Sequence, residues 1–253
     1  MGQHVFGAGV GWATPQTLGD GSVIATPTPL MFGVMQEISL DVSFELKQLH
    51  GQNAFAADVA RGKGTVSGKV RWGQINGDIY NSVLFGQTVS AGIQSARYDT
   101  TGATIPTTPF QVTPTAPSSG TFEKDLGVID SNARPMTKVT GTPTTGQYAE
   151  SSGTYTFASA DAGNKVYINF AYTATSTTAK KSTVANVVMG YAPTFTLDVY
   201  MPYKGKSHIL RMPNCIATKM ALATKLDDHM LPELDFSAFA GADGNVFTWA
   251  TSE

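Results

Sequence analysis

Charged side chains are scarce in this sequence. Asp, Glu, Lys and Arg make up 14% of its 253 residues, whereas a globular protein usually has about 25%. The formal net charge is −2, so the chain lacks the basic excess with which a protein neutralises many phosphates. This composition disfavours tight or sequence-specific nucleic-acid binding, but it is compatible with a surface past which DNA slides.

Cysteine is almost absent as well. Cys215 is the single thiol in the chain, which rules out an intrachain disulfide framework and a cysteine-rich metal site. A buried, unreactive thiol is the expected state of such a residue. A chain of this length can bury a core large enough to fold without such cross-links.

Long hydrophobic runs are missing too. No run reaches the length of about 20 residues that a membrane-spanning helix needs. Residues 1–6 contain no basic segment, and Phe6 stands where a myristoylation signal requires Ser or Thr. These absences predict a protein that is made and folded in a cytoplasm and does not insert into membranes.

Catalytic signatures are also lacking. The four histidines are far apart, and none accompanies a Gly-x-Ser-x-Gly nucleophile turn. The glycine-rich segment 62–69 has five residues between its outer glycines where a phosphate-binding loop has four, and Val70 replaces the hydroxyl residue that would bind magnesium. We therefore predict that the protein is not an enzyme and has no cofactor.

The densest group of possible metal ligands lies near the C-terminus. It consists of Asp227, Asp228, His229, Glu233 and Asp235. Carboxylates and an imidazole this close can bind a hard cation. However, the group falls between two strand-like runs, where a solvated turn collects charge, and it lacks the spacing of a calcium-binding loop. We favour the turn and predict no metal site.

The clearest structural pattern begins at residue 35. From Ile38 to Leu46, apolar residues take every even position and polar residues every odd one, which predicts a strand with one buried and one exposed face. After a loop predicted over Gly51–Gly64, the alternation resumes up to Trp72. This second run predicts the partner strand.

A helical period follows the second strand. Ile75, Ile79 and Val83 recur every four residues, and Gly86 can end a helix. We expect a short amphipathic helix that packs on the buried face of the two strands.

Composition marks two less regular regions. Residues 1–34 are punctuated by Gly, Thr and Pro. They predict an N-terminal arm that is disordered, lies against a neighbouring subunit or packs on the chain's own core. Stretches rich in Thr, Ser and Pro border residues 110–182, whose short alternating segments predict strands. Such paired borders indicate a small β module inserted through two tethers.

The alternation of the first region returns after residue 183. Apolar residues occupy the odd positions of residues 195–201, and Lys204-Gly205 predicts the turn of a hairpin. The predicted fold is therefore mainly β. It is a sandwich or partial barrel formed by residues 35–109 and 183–253, with one short packed helix and the inserted β module.

Three short segments carry a family resemblance. They are Leu-Lys-Gln-Leu-His-Gly-Gln at 46–52, Ala-Arg-Gly-Lys-Gly at 60–64 and Gly-Gln-Ile-Asn-Gly at 73–77. Together with the order long strand, loop, strand and short helix, these segments resemble the major tail tube proteins of tailed bacteriophages. The resemblance extends less closely to the C-terminal region.

The resemblance implies a structural virion protein that assembles with itself into stacked hexameric rings and forms the channel for DNA during genome delivery. Its other partners would be tape-measure, terminator and baseplate or tip proteins, with DNA passing only transiently. Its location would be the phage tail, after assembly in the cytoplasm of the host bacterium.

Two surfaces acquire expected roles from this resemblance. The polar face of the first strand is expected to line the lumen, and its residues are Glu37, Ser39, Asp41, Ser43 and Glu45. The loop that follows is expected to contact an adjacent ring or subunit through Gln52, Asn53, Phe55, Asp58, Arg61 and Lys63.

Two other classes of protein stay open at this point. One is a carbohydrate- or cell-surface-binding β-sandwich of a phage particle, in which the inserted module carries the recognition. The other is a capsid or decoration protein. Tubes or stacked rings of the purified protein favour a tail tube, whereas monomers that bind glycans favour the first alternative.

Overall fold

A computed structural model describes residues 4, 6–224 and 226–252 of the chain. Within these residues the protein is mainly β, with one short helix and several sheets, which confirms the predicted fold class. In chain order the strands are β1 (Val10–Pro15), β2 (Leu30–Met31), β3 (Met35–His50), β4 (Ala56–Trp72), β5 (Val89–Ala91), β6 (Ile93–Arg97), β7 (Ala103–Thr104), β8 (Gln111–Val112), β9 (Thr121–Asp130), β10 (Thr137–Lys138), β11 (Gln147–Ser151), β12 (Thr154–Phe157), β13 (Lys165–Ala174), β14 (Lys180–Ser182), β15 (Thr194–Tyr203), β16 (Lys206–Ala221), β17 (Glu233–Ala238) and β18 (Thr248–Thr251). The helix α1 (Gly77–Ile79) continues into a π-helical turn over Tyr80–Phe85, and 3-10 turns lie at Pro117–Ser119 and Ser159–Asp161.

The chain divides into two compact units. The host unit comprises residues 1–89 and 182–253, and the inserted unit comprises residues 90–181. The chain leaves the host unit through β5 and returns through β14, and these two strands pair with each other. Because paired strands lie about 4.8 Å apart, the two ends of the inserted unit are close together.

The host unit contains one sheet in the order β2-β1-β15-β16-β17-β4-β3, with β18 also paired to β16. The long strand β16 joins the two halves of this sheet, since its first part pairs with β15 and its last part with β17. A bulge lies between Ala217 and Lys219, where it adds local bend and twist. Leu197 of β15 shares one core with Val70 of β4 and Phe236 of β17, so both halves of the sheet enclose the same core.

The short helix lies against this core, as predicted. Ile79 and Val83 are buried in it, and Gly86 ends the segment with a left-handed backbone at φ 59°. The side chain of Asn76 caps the N-terminus of the helix. Ile75 precedes this cap and is exposed, so its predicted place on the buried face of the helix is wrong.

The hairpin of β3 and β4 is longer than the sequence indicated. The loop predicted over Gly51–Gly64 is wrong, because only residues 51–55 lie outside the two strands. The first half of β4 pairs with the end of β3, where Arg61 lies opposite Leu46. Alanine and glycine in this half of β4 give almost no hydrophobic alternation, whereas backbone pairing requires none.

The N-terminal segment is part of the host sheet. β1 pairs with β15 along its whole length, and Phe32 is buried in the host core. The prediction of an irregular arm over residues 1–34 is therefore wrong for β1 and β2, while residues 1–3 and 5 lie outside the described residues. The inward positions of β1 are occupied by Gly, Ala and Pro, whose small side chains hide the period of the strand.

The inserted unit has its own core and two main sheets. One sheet has the order β6-β13-β7 with β9 also paired to β13, and the other has the order β10-β11-β12-β8. Phe170 and Tyr155, one from each sheet, belong to the same buried cluster. The unit begins at Ser90 rather than at residue 110, because β6 pairs with β13 and Ile105 lies in this core.

Candidate functional site

The outer half of the β3–β4 hairpin exposes an apolar surface. Near the core, Ile38 and Leu40 are partly buried against it, as the alternation predicted. Farther along the same face, Phe44 is 49% exposed and Leu46 is 63% exposed. We define the apolar hairpin face as Val42, Phe44, Leu46 and Val59, all of which are exposed.

Residues of β4 pair with the apolar hairpin face and pack against the ring of Phe44. Val59 lies opposite Gln48, an even-numbered residue of β3, and directly paired residues point to the same side of a sheet. The guanidinium carbon of Arg61 lies 4.7 Å from the centroid of the Phe44 ring, which is a cation–π contact. A Cβ at Gly64 would lie 2.9 Å from that ring. The missing side chain therefore lets the Phe44 ring lie across β4.

The residues predicted to contact another subunit are divided between the tip of the hairpin and β4. Gln52, Asn53 and Phe55 lie in the tip, and Asp58, Arg61 and Lys63 lie in β4. All six are exposed, and the ring of Phe55 is 87% exposed. They therefore belong to one projecting element, although they do not form the single loop that was predicted.

The opposite face of β3 is polar. The five residues predicted to line a lumen are Glu37, Ser39, Asp41, Ser43 and Glu45, and all of them are exposed on this face. The hydroxyl of Ser43 shares a hydrogen bond of 2.7 Å with that of Thr65 on β4. We call this surface the polar sheet face.

Basic side chains from β4 neutralise part of the polar sheet face. Arg71 lies 3.1 Å from Glu37 and 2.5 Å from Glu233, and Lys69 lies 2.9 Å from Glu233. Hydrogen bonds from Lys69 and then Arg71 hold the pKa of Glu233 below its usual value, so the carboxylate stays ionised. The sequence predicted a small and acidic face. Strand pairing instead places Lys69 and Arg71 of β4 among these carboxylates, so the face carries charges of both signs.

The acidic group near the C-terminus is spread over a turn and a strand. Asp227, Asp228 and His229 lie between β16 and β17, whereas Glu233 and Asp235 lie on β17. Glu233 is bound by two cations of β4, and Asp235 lies 3.8 Å from Lys219. Within the described ranges, no group of three or more His, Cys, Asp or Glu side chains could hold a metal ion.

Cys215 is buried in the host core, as predicted. Burial raises the pKa of its thiol to about 12. The sulfur therefore stays protonated at neutral pH and is not a nucleophile.

Sequence reasoning missed the exposure of the apolar hairpin face. Alternation from Ile38 to Leu46 predicts burial of every even position, because a period of two carries no information on where the core ends. The length of the strand does carry that information. β3 has 16 residues, about 53 Å at ~3.3 Å per residue, whereas strands of about 5–6 residues are typical.

No protein-family model matches the chain, and a search of the curated proteins finds no match. In the part of the chain that the structure describes, no helix is long and apolar enough to cross a membrane. The candidate functions are therefore distinguished by the geometry of the hairpin and of the two sheet faces.

Proposed function

We propose that this chain is a structural subunit that assembles with copies of itself, as the major tail tube protein of a tailed bacteriophage does. Its rings would stack into a tube through which DNA passes. The observation that carries the proposal is the apolar hairpin face. A contiguous apolar surface on a projecting hairpin marks an interaction site, whereas single exposed apolar residues are ordinary.

A second copy of the chain is the occupant that we assign to this face. An isolated two-stranded hairpin is only marginally stable in water, so the outer half of β3 and β4 needs packing from outside the host core. Another subunit supplies such packing in a repeating assembly, where every copy both presents a hairpin and receives one. The exposed ring of Phe55 at the tip extends the same contact.

The edges of the host sheet support ring formation. Among the residues that the structure describes, β3 is the last strand at one end of the sheet, and no neighbouring strand lies beyond its outward backbone groups. At the other end, β2 pairs with only Trp12 and Ala13 of β1. Two different unpaired edges allow head-to-tail pairing, which closes into a ring and removes edges that otherwise aggregate.

The polar sheet face is the surface that we assign to the bore. Glu37, Arg71, Glu233 and Lys69 form a connected group of two acids and two bases. Such a group has no net charge and gives phosphates little to bind. Small polar residues such as Ser39 and Ser43 complete a surface on which DNA would find few attachment points.

Electron microscopy of the purified protein tests this function. We expect rings or tubes from the wild-type chain. Phe44→Ser combined with Leu46→Ser should leave the host unit folded but abolish assembly, because both side chains are already solvent-exposed in the subunit. Leu222→Ser is a matched control, since Leu222 is also half exposed but lies outside the hairpin. Wild-type protein that stays monomeric at high concentration would refute the proposal.

A further inference from the structure

The inserted unit contains a cavity of about 450 Å³ where three turns meet. The turns contribute residues from 130–136, 145–146 and 161–164 to the lining. Small-molecule sites in proteins typically have volumes of ~300–1,000 Å³. Loops supported by a rigid sheet are also a common location for binding residues. We call this space the loop cavity.

Hydrogen bonds order the turn at residues 130–136, which lines one side of the loop cavity. The carboxylate of Asp130 accepts hydrogen bonds from the backbone N–H groups of Asn132 and Arg134, at 2.8 and 2.9 Å, and from Nε of Arg134 at 2.9 Å. These hydrogen bonds hold the pKa of Asp130 below its ordinary value, and the one from the Arg134 backbone contributes most. The turn is therefore ordered by its own hydrogen bonds.

Asp161 joins the other two turns that line the loop cavity, at residues 145–146 and 161–164. Its Oδ2 accepts a hydrogen bond of 2.9 Å from the backbone N–H of Gly146. Backbone hydrogen bonds also connect Ile105 with Gly163 and Asn164. The cavity is thus built from segments that are far apart in sequence but held in one arrangement.

Asp161 has unused hydrogen-bonding capacity. The residue is only 5% exposed, yet Gly146 is the one hydrogen-bond donor to its side chain among the described residues, and none of them forms an ion pair with it. An ionised carboxylate can accept about four hydrogen bonds, so Asp161 can accept more than the one that it receives from Gly146. The side-chain amide of Asn164, which also lines the cavity, makes no hydrogen bond within the same set of residues.

The other lining residues determine which ligand suits these groups. Pro135 and Met136 line the cavity and keep accessible apolar surface, and the guanidinium of Arg134 adds hydrogen-bond donors. Divalent cations are disfavoured because no three metal-binding side chains come together in the described chain. Anions are disfavoured because Asp161 would repel them.

We propose that the loop cavity binds one residue of a neutral carbohydrate. Neighbouring hydroxyl groups of the sugar donate hydrogen bonds to Asp161 and accept them from Asn164 and Arg134, while the C–H face of the ring packs on Pro135 and Met136. This site lies wholly in the inserted unit and uses no residue of the hairpin. Failure of ring assembly and failure of sugar binding are therefore separate results.

Saturation-transfer NMR on the full chain tests the site with glucose, galactose, mannose and their N-acetylated amino-sugar relatives as probes. At least one of these sugars should receive saturation and bind with a Kd in the millimolar range or below. Asn164→Ala should weaken this binding at least tenfold, because it removes a side chain that the fold does not use. Asn186→Ala, at an exposed position of the host unit, should bind like the wild type.

Three outcomes would overturn the proposal. The first is the absence of saturation transfer to every sugar in the panel. The second is binding that Asn164→Ala leaves unchanged while thermal unfolding shows the variant to be folded. The third is a response of the Gly146 amide resonance to calcium chloride alone, since that result identifies a cation site instead.

Discussion

Asp125→Ala should destabilise the inserted unit strongly. The side chain of Asp125 is 7% exposed and lies 3.0 Å from the ammonium group of Lys138. It also accepts hydrogen bonds from the hydroxyls of Tyr148 and Tyr155, at 2.9 and 3.1 Å, and from the backbone N–H of Gly127 at 2.9 Å. One carboxylate thus joins β9, β10, β11 and β12.

The magnitude follows from the groups that lose their acceptor. Tyr155 is fully buried and Tyr148 nearly so, and each buried donor left without a partner costs about 1–3 kcal/mol. Lys138 adds little, because it is half exposed and keeps Glu150 at 2.9 Å. We therefore expect the free energy of unfolding of the inserted unit to fall by ~3–5 kcal/mol. Tyr148→Phe removes one donor together with its need for a partner and should cost only ~1 kcal/mol.

The two units can be followed separately in one urea titration. Trp12, Trp72 and Trp249, the three tryptophans of the chain, all lie in the host unit, so tryptophan fluorescence reports on that unit. Hydrogen exchange of peptides from residues 121–174 reports on the inserted unit. Asp125→Ala should lower the urea midpoint for these peptides and leave the fluorescence midpoint unchanged, and the exposed Asp58→Ala should change neither. A loss below 1 kcal/mol would show that the tyrosine hydroxyls do not depend on Asp125.

Acid should reproduce the effect of this substitution. Burial raises the pKa of Asp125, but hydrogen bonds from Gly127, Lys138 and the two tyrosines outweigh it and hold the pKa below its ordinary value. A carboxyl whose pKa is lowered by folding stabilises the fold above its unfolded pKa of about 3.9, and this contribution is lost as pH falls through the folded value. The inserted unit of Asp125→Ala should lack this part of the acid dependence.

Three further predictions concern the host unit. Asp41→Lys with Glu45→Lys should leave particles assembled but slow genome ejection, and high salt should reduce this effect; normal ejection at low salt would count against the bore assignment. Gly68→Ala should lower the free energy of unfolding of the host unit by ~1–3 kcal/mol in urea titrations, because a Cβ there would lie 2.5 Å from both the Phe236 ring and the Ser39 carbonyl oxygen. Gly62→Ala, whose added Cβ would meet no atom nearer than 3.2 Å, is its control. Joining residue 89 to residue 182 through a short linker should preserve the host fold and assembly, with circular dichroism and electron microscopy as readouts. A chain that cannot fold after this excision would show that the inserted unit belongs to the host core.

Sequence periodicity predicted those elements whose side chains differ clearly between their two faces. The alternation of β3 and the apolar odd positions of β15 identified both strands, and Ile79, Val83 and Gly86 identified the helical turn. Each of these patterns reflects burial on one side of an element. The same reasoning found the face that carries Glu37 to Glu45, because a register slip of one residue would bury its carboxylates.

Elements with small inward residues could not be found in this way. β1 places Gly, Ala and Pro toward the core, and the outer half of β4 is rich in Ala and Gly, so neither shows a hydrophobic period. Their position in the sheet is determined by pairing with β15 and β3, which is a long-range property. The loop cavity could not be predicted from the sequence for a related reason, since Asp130, Gly146 and Asp161 come together only after the inserted unit folds.

The pairing of β5 with β14 has a consequence for how this chain can change. Residues 89 and 182, at which the host unit is interrupted, lie on neighbouring strands. The host unit can therefore accept a foreign domain whose own termini are about one strand spacing apart. A domain grafted there would add little loop-closure entropy to the folding of the host, because the closing strands hold the graft's ends together. Domains can therefore be exchanged at this junction while the strands and the core of the host unit stay the same.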